Sequence, residues 1–396
     1  MATLDKLDVL GTAARFDVCG ACGPQTSTRA NVFPYQFIHK ADVPGGRQVN
    51  LFKVLLTNSC INDCAYCVNQ VGRDVRRSAF QPEELARLFM SMASRRLVQG
   101  LFLSSGIGTN PTQTMERMID TVAILRLRYQ FQGYIHLKLL PGAAPSCVEE
   151  ACRLASRVSV NMEAPTPEHL SKLSVRKDLY KGILEPMRLV QRLVSSHQVR
   201  LPAGQTTQFV VGAAGESDKD ILEATHNLYK EVGLARAYFS AFRPVPDSRL
   251  EHIKAAPPMR EHRLYQSDWL LRVYKFSLQE VELALKKDGN LPLSKDPKLL
   301  IAERQPWLFP VDVNTADYHE LLRVPGIGPA SAKRIVQARR QHRILSVKEL
   351  RQLGAATTRA ASFVWLKHME RSSRPFAVQS PLFNLSPQPA ASLSAS

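Results

Sequence analysis

The sequence predicts an α/β protein: an incomplete β/α barrel of six strand–helix units, followed by a small all-helical module. Two patterns carry this expectation. From residue 51 to about 245, short apolar runs alternate with amphipathic stretches, the order that builds a parallel sheet. Beyond residue 310 the alternation stops, and two helical stretches flank the turn Pro325-Gly326-Ile327-Gly328.

The strand candidates are residues 51–56, 100–103, 135–140, 158–162, 206–211 and 237–242. Helical candidates lie between them, near 82–96, 113–130, 146–156, 185–196 and 217–232. Starts such as Gln81-Pro82-Glu83-Glu84 and Ser217-Asp218 carry the residues that open helices. Amphipathic spacing continues at 264–274 and 278–286. The expected organisation is an N-terminal extension at 1–45, the barrel at 46–250, a helical connector at 251–310, the helical module at 311–370 and a disordered Ser-, Pro- and Ala-rich tail at 371–396.

Composition narrows the functional classes. The 396 residues include 52 Lys and Arg against 35 Asp and Glu, a formal charge of +17 that points to a polyanionic partner. No apolar run approaches the ~20 residues of a membrane span, so no membrane partner is expected. The N-terminus lacks the basic and apolar regions of a signal peptide, which gives a cytoplasmic expectation. The seven cysteines sit mostly in short clusters, as in a reducing compartment rather than a disulfide framework. Cys147 and Cys152 lie in an expected helix and read as core thiols.

Cys60, Cys64 and Cys67 stand in Cys-Ile-Asn-Asp-Cys-Ala-Tyr-Cys, directly after the first strand. Three thiolates fall one short of the four ligands of a structural zinc site. They match three irons of a 4Fe–4S cluster and leave the fourth open to a substrate or cofactor. Cys19 and Cys22 form a second, C-x2-C pair, either two thiols in a Gly-rich loop or part of another metal site. In a β/α barrel chemistry sits at the C-terminal ends of the strands. The cysteine loop, Ser104-Ser105-Gly106, Leu140-Pro141-Gly142, Asn161-Met162-Glu163, the Gly212–Glu216 turn and Arg243-Pro244 all fall there.

With Tyr66 before its last cysteine, this loop resembles that of the radical S-adenosylmethionine (SAM) superfamily. The resemblance implies a partial (β/α)6 TIM-like radical SAM barrel, a 4Fe–4S cluster on Cys60, Cys64 and Cys67, and SAM on the open iron. Reductive cleavage of SAM would give methionine and a 5′-deoxyadenosyl radical, with the protein binding, orienting and excluding water. By the same resemblance Ser104, Ser105 and Gly106 form the turn that binds the SAM amino group, although the usual form is two glycines and an acid. Asn161 and Glu163, at alternate positions of the fourth strand, are expected on one face. There they would contact the SAM ribose or carboxylate, or else the substrate. Gly212, Gly215 and Glu216 resemble the turn that approaches the adenine, with Glu216 helping to cap the next helix. Lys138 and Arg243 are candidates to face an anionic substrate.

The C-terminal module resembles the helix-hairpin-helix family over Val313–Val336. Asn314 or Thr315 is expected to cap a helix ending at Arg323. Pro325, Gly326, Ile327 and Gly328 form the turn, and Pro329 opens the next helix. The turn's backbone amides suit a phosphate, with Lys333 and Arg334 adding charge. Such a hairpin grips DNA without reading sequence. A degenerate second copy is expected at 347–361, with Leu353-Gly354 at its turn.

The two modules together resemble a bacterial family of radical SAM proteins assigned to DNA modification or repair. This implies a radical enzyme acting on DNA, a one-electron donor such as flavodoxin, and a uracil-DNA glycosylase-like partner. Two alternatives stand beside it: a radical SAM enzyme acting on RNA or a protein side chain, and a non-enzymatic, metal-stabilised DNA-binding protein.

Overall fold

The computed structural model describes residues 3–14, 35–43 and 47–366. Cys19, Cys22 and the expected tail at 371–396 lie outside the described residues. The chain forms two compact units, Met1–Leu300 and Ile301–Ser396.

The first unit is built on one seven-stranded sheet in the order β1 to β7. Its strands are β1 (Ile38–Val43), β2 (Arg47–Leu55), β3 (Gly100–Ser104), β4 (Tyr134–Lys138), β5 (Arg157–Ser159), β6 (Gln205–Val211) and β7 (Arg236–Ala241). Strands β2 to β7 are parallel, each joined to the next through helices, and the curled sheet is a half-barrel. The crossovers include α2 (Pro82–Ser94), α3 (Pro111–Ala123), α4 (Pro145–Leu154), α5 (Pro167–Leu173), α6 (Glu185–Ser195) and α7 (Asp218–Glu231). Local chemistry starts them. Gln81 and Glu84 form a capping box at α2, Asn110 accepts from the amides of Thr112 and Gln113 at α3, and Ser217 with Asp220 does the same work at α7.

The register divides the sheet into two faces. Lys53 pairs with Phe102, Phe102 with His136, and His136 with Arg157, so these four share one face. Lys138 and Ser159 pair, as do Ser159 and Thr206, on the same side. The alternate residues Val54, Leu103, Leu137 and Val158 are buried and apolar. One face is thus a hydrophobic layer, and the other sets Lys53, His136 and Arg157 beside an apolar cluster of Ala41, Leu51 and Phe102.

Three expectations need correction. The six expected parallel strands are β2 to β7, but the expected N-terminal extension adds a seventh, β1, which pairs antiparallel with β2. Its sequence, Ile-His-Lys-Ala-Asp-Val, has too few apolar residues to read as a strand alone. The fourth parallel strand ends at Ser159, not Met162, since Glu163 takes a left-handed backbone with φ 63°. Glu163 still bridges to β6 through Gln208 and Val210, so the chain swerves without leaving the rim. Asn161 and Glu163 therefore do not alternate along one strand. The unit continues through α8 (Pro258–Arg272) and α9 (Leu278–Glu282), with Tyr265 of α8 bonding both backbone groups of Phe239. Helix α10 (Pro297–Arg304) follows in sequence.

The second unit pairs two hairpins. Helices α11 (Tyr318–Arg323) and α12 (Pro329–Ala338) flank the first turn, and α13 (Val347–Gln352) and α14 (Thr357–Ala360) the second. Short strands β8 (Val311–Asp312) and β9 (Val364–Trp365) tie its ends together. Leu321, Leu322, Ile327, Ala332 and Ile335 are all buried, the core expected of this module. Its first cap is Asp317, not Asn314 or Thr315. Asp317 accepts from the amides of His319 and Glu320, while Asn314 exchanges two bonds with Ile344. No helix among the described residues is long and apolar enough to cross a membrane.

The two turns interlock. The Ala356 amide donates to Gly326 O at 2.8 Å, and the Ser331 hydroxyl to Gly354 O at 2.7 Å. Gly326 has φ 84°, and a Cβ there would stand 2.4 Å from Ala356 O. Gly326→Ala is therefore expected to destabilise the second unit by about 2 kcal/mol or more, read as an earlier transition in thermal unfolding. Asp317→Ala should cost about 1 kcal/mol in the same assay. The Glu320 amide, foremost, holds the Asp317 carboxyl below the usual aspartate range. That cap is fully formed at neutral pH and fades as pH falls through the lowered pKa.

Candidate active site

The cysteine loop hangs between β2 and α2, and its backbone is fixed from three sides. On the first side, the Ser104–Ile107 turn lies against it: Leu56 N donates to Ser104 O, Gly106 N to Thr57 O and Ile61 N to Ile107 O, all within 2.7–2.8 Å. A Cβ on Gly106 would stand 2.5 Å from Ser59 O, so only glycine permits this approach. Ser104 is buried, and the Ser105 hydroxyl reaches Thr57 O at 3.5 Å. On the second side, Arg77 donates to the carbonyls of Asn58, Asn69, Gln70 and Arg73. Asn58 returns through Arg76 O and Ser78 N, each at 2.8 Å.

The third side is the segment after α5. Ala65 N donates to Leu173 O at 2.9 Å. Asp63 accepts from the Ser174 hydroxyl and the Val175 amide, and Arg176 donates to Ile61 O. Lys177 donates to the Tyr66 hydroxyl at 2.8 Å and to Glu163 Oε1 at 3.1 Å. Sequence reasoning missed Arg77 and Lys177. Both act across the chain on backbone or buried groups, and neither stands in a local pattern.

The thiols carry two backbone hydrogen bonds, Ile107 N to Cys60 Sγ and Asn69 N to Cys67 Sγ, each at 3.4 Å. Burial pushes the free Cys67 thiol up to about 12, with Cys64 and Cys60 adding to the rise against the Asn69 amide. Iron must therefore displace its proton on binding. Among the described residues, no three His, Cys, Asp or Glu side chains converge on a single ion. Three thiols on one loop suit a cluster, in which each iron takes its own sulfur.

Beside the loop lies a buried ionic group. The Lys177 and Glu163 side chains are 8% and 5% exposed. Burial works against the Lys177 charge, but Cys64 and Glu163 outweigh it and raise its pKa. Burial, then Cys64, raises Tyr66 well above the usual tyrosine range and keeps it neutral. Glu163 Oε2 is buried without a hydrogen-bond partner among the described residues. An unused carboxylate oxygen is an acceptor for a hydroxyl pair such as that of a ribose. Asn161, also buried, lines a small cavity with Phe102, Ser159, Thr206, Thr207, Gln208 and Tyr238.

The turn after β6 is internally satisfied. Glu216 accepts from the amides of Gly212 and Ala214, and Arg260 donates to Glu216 O at 2.7 Å. Glu216 thus shapes the turn, and Ser217 is the residue that caps α7. Gly212, at φ 89°, packs on Ala256, and Gly215 has φ 79°. Lys138 shares the polar face with Ser159, whereas Arg243 is exposed beyond β7. In the second unit Pro325 and Ile327 are buried, Gly326 and Gly328 half-buried, and Lys333 and Arg334 exposed. Lys333 and Arg340 line a groove of about 270 Å³ with Tyr318, Val336 and Gln337.

Comparison with known proteins places families on both units. Residues 54–228 match the radical SAM superfamily, and residues 310–357 the helix-hairpin-helix motif. Similar solved structures include HydG, a maturase of the FeFe-hydrogenase, at 11% identity and TM-score 0.43, covering 55% of this chain and 49% of that one. Methylornithine synthase (PylB) is similar at 15% identity and TM-score 0.45, covering 55% and 60%. HydG from Carboxydothermus hydrogenoformans is similar at 14% identity and TM-score 0.41, covering 53% and 48%. The chain spans about half the length of the solved structures it matches. No curated protein matches it. Radical SAM superfamily proteins use a 4Fe–4S cluster and SAM, and the three thiols of the loop suit that cluster. This chain carries a radical SAM domain, held on its cysteine loop and half-barrel, and a helix-hairpin-helix motif beyond it.

Proposed function

We propose that the protein is a radical SAM enzyme that acts on DNA, modifying or repairing a base or sugar. One observation carries the reading: a radical SAM domain with three cysteines on one loop and a helix-hairpin-helix motif stand on the same strongly basic chain. When bound, the cluster and SAM supply reductive cleavage of a sulfonium to methionine and a 5′-deoxyadenosyl radical, given an electron from a donor such as flavodoxin. Cys60, Cys64 and Cys67 hold the cluster. The amides of Ile107 and Asn69 at two of the sulfurs favour the electron-rich state.

The protein's own groups orient the cofactor. Lys177 fixes Glu163 by pairing with one of its buried carboxylate oxygens. Tyr66 accepts from Lys177 and stays protonated. Ser104, Ser105, Gly106, Asn161, Gly212 and Gly215 form the remaining rim. Lys138, at the strand end beside Ser159, is a candidate contact for an anionic substrate. At the other unit, the turn at Pro325–Gly328 and the exposed Lys333 and Arg334 hold backbone phosphate without reading sequence. A base within duplex DNA must leave the stack to reach the half-barrel.

Reconstituted protein with dithionite and SAM is expected to form 5′-deoxyadenosine, and a Cys60, Cys64 and Cys67 triple-alanine variant none. Mass spectrometry of nucleosides from treated DNA should reveal a new or lost species. An unchanged nucleoside profile beside active SAM cleavage would move the substrate to RNA or protein. Lys333→Ala should flatten the log–log salt dependence of duplex binding by about 0.9. Lys177→Ala strands the buried Glu163 charge and should destabilise the first unit by about 3 kcal/mol, with lower iron content; denaturant titration and iron assay measure both.

A further inference from the structure

Resting on the DNA reading above, we infer that the segment Val175–Lys181 is a docking surface for unstacked, single-stranded nucleic acid at the mouth of the half-barrel. Its position is fixed at both ends of the opening. Toward the cysteine loop it is held by Asp63, by Ile61 O through Arg176, and by Tyr66 through Lys177. Just before it, Lys172 donates to Ala214 O at 2.9 Å, in the turn after β6. The segment therefore spans between the loops that follow the first and fifth parallel strands, and whatever it exposes borders the entrance.

What it exposes is chemically particular. Tyr180 is 56% and Val175 70% exposed. The Tyr180 carbonyl accepts from the Glu185 amide, while its ring and hydroxyl make no hydrogen bond or ring contact among the described residues. Arg176 and Lys181 are exposed beside them. Asp178, the one acid here, is engaged by the Lys181 amide at 2.7 Å. Tyr180 opens a π-helical turn, Tyr180–Leu184, that runs into α6. Such wide turns recur at functional sites and re-aim the side chain that begins them.

An exposed ring on a short segment that also exposes cations is the combination that binds single strands, the base stacking on the ring and the phosphates meeting the charges. A paired duplex offers no free base face to Tyr180. The surface thus selects for an already opened or flipped nucleotide, complementing the hairpin, which grips phosphate whatever the pairing.

The test uses full-length, cluster-loaded protein and fluorescence anisotropy with a labelled single-stranded oligonucleotide and its duplex. Tyr180→Ala is expected to weaken single-strand binding by about 5- to 150-fold and duplex binding by less than about twofold. Tyr180→Phe, which keeps the ring, should restore the affinity. Lys181→Ala should lower the single-strand salt slope by about 0.7. Unchanged iron content and melting temperature establish that the Tyr180 variants are folded. Unchanged single-strand affinity in Tyr180→Ala, or equal loss on both DNA forms, overturns the proposal. Lys333→Ala separates the two readings. If it changes nothing while Tyr180→Ala loses single strands, the hairpin assignment fails and the docking surface stands.

Discussion

The structure depends on one problem, the fixing of an irregular loop that must present three sulfurs. A loop has no ladder to satisfy its backbone, and an unpaired buried carbonyl is costly. Arg77 resolves much of this with a single guanidinium, whose fork reaches four carbonyls between Asn58 and Arg73. A lysine could not, because its three donors spread from one point. The charge matters as well as the geometry. A loop that gathers three thiolates accumulates negative charge, and the cations of Arg77 and Lys177 both bond to it. Removing either cation would disturb the loop's shape and its electrostatics together.

The half-barrel positions that loop and also fills its own interior unusually. Parallel strands are commonly apolar on both faces. Here the face shared by Lys53, Phe102, His136 and Ser159 is polar. Burial, then Arg157, Lys138 and Lys53, pushes His136 well below its usual range, so it is neutral. Its Nε2 meets the Ser159 hydroxyl at 2.9 Å, and Nδ1 is buried without a partner among the described residues. A face of this kind is unfavourable for a packed core and suited to a lined site.

Much of this was legible in the sequence because its signals are local. The strands announced themselves as apolar runs between helix starts, the cysteine spacing as a ligand set, and Pro-Gly-Ile-Gly as a hairpin turn. The failures share a cause. The edge strand β1 lacks an apolar face and gains its identity only by pairing with β2. The swerve at Glu163 is a backbone state that a glutamate gives no hint of, and it is maintained by bonds to Gln208 and Val210 on the next strand. Arg77, Lys177 and Arg260 reach partners up to 19, 111 and 44 residues away, where no periodicity reports them. Even the glycines were only half legible. Gly326 and Gly106 were expected to serve a ligand, yet each is required first by a neighbouring backbone.

That last point bears on how the two modules divide the work. If Gly326 exists to let two hairpins interlock, then the phosphate-binding surface is a by-product of a rigid fold, not of a flexible loop. A rigid turn binds phosphate with little ordering cost, but it cannot adapt to read bases. Selectivity must then come from elsewhere on the chain. On the proposed reading it comes from the half-barrel mouth, where the polar lining and the exposed Tyr180 meet a base already out of its stack. Generic hold and local choice are separate tasks with opposite requirements, and separate units allow each to be met without compromising the other.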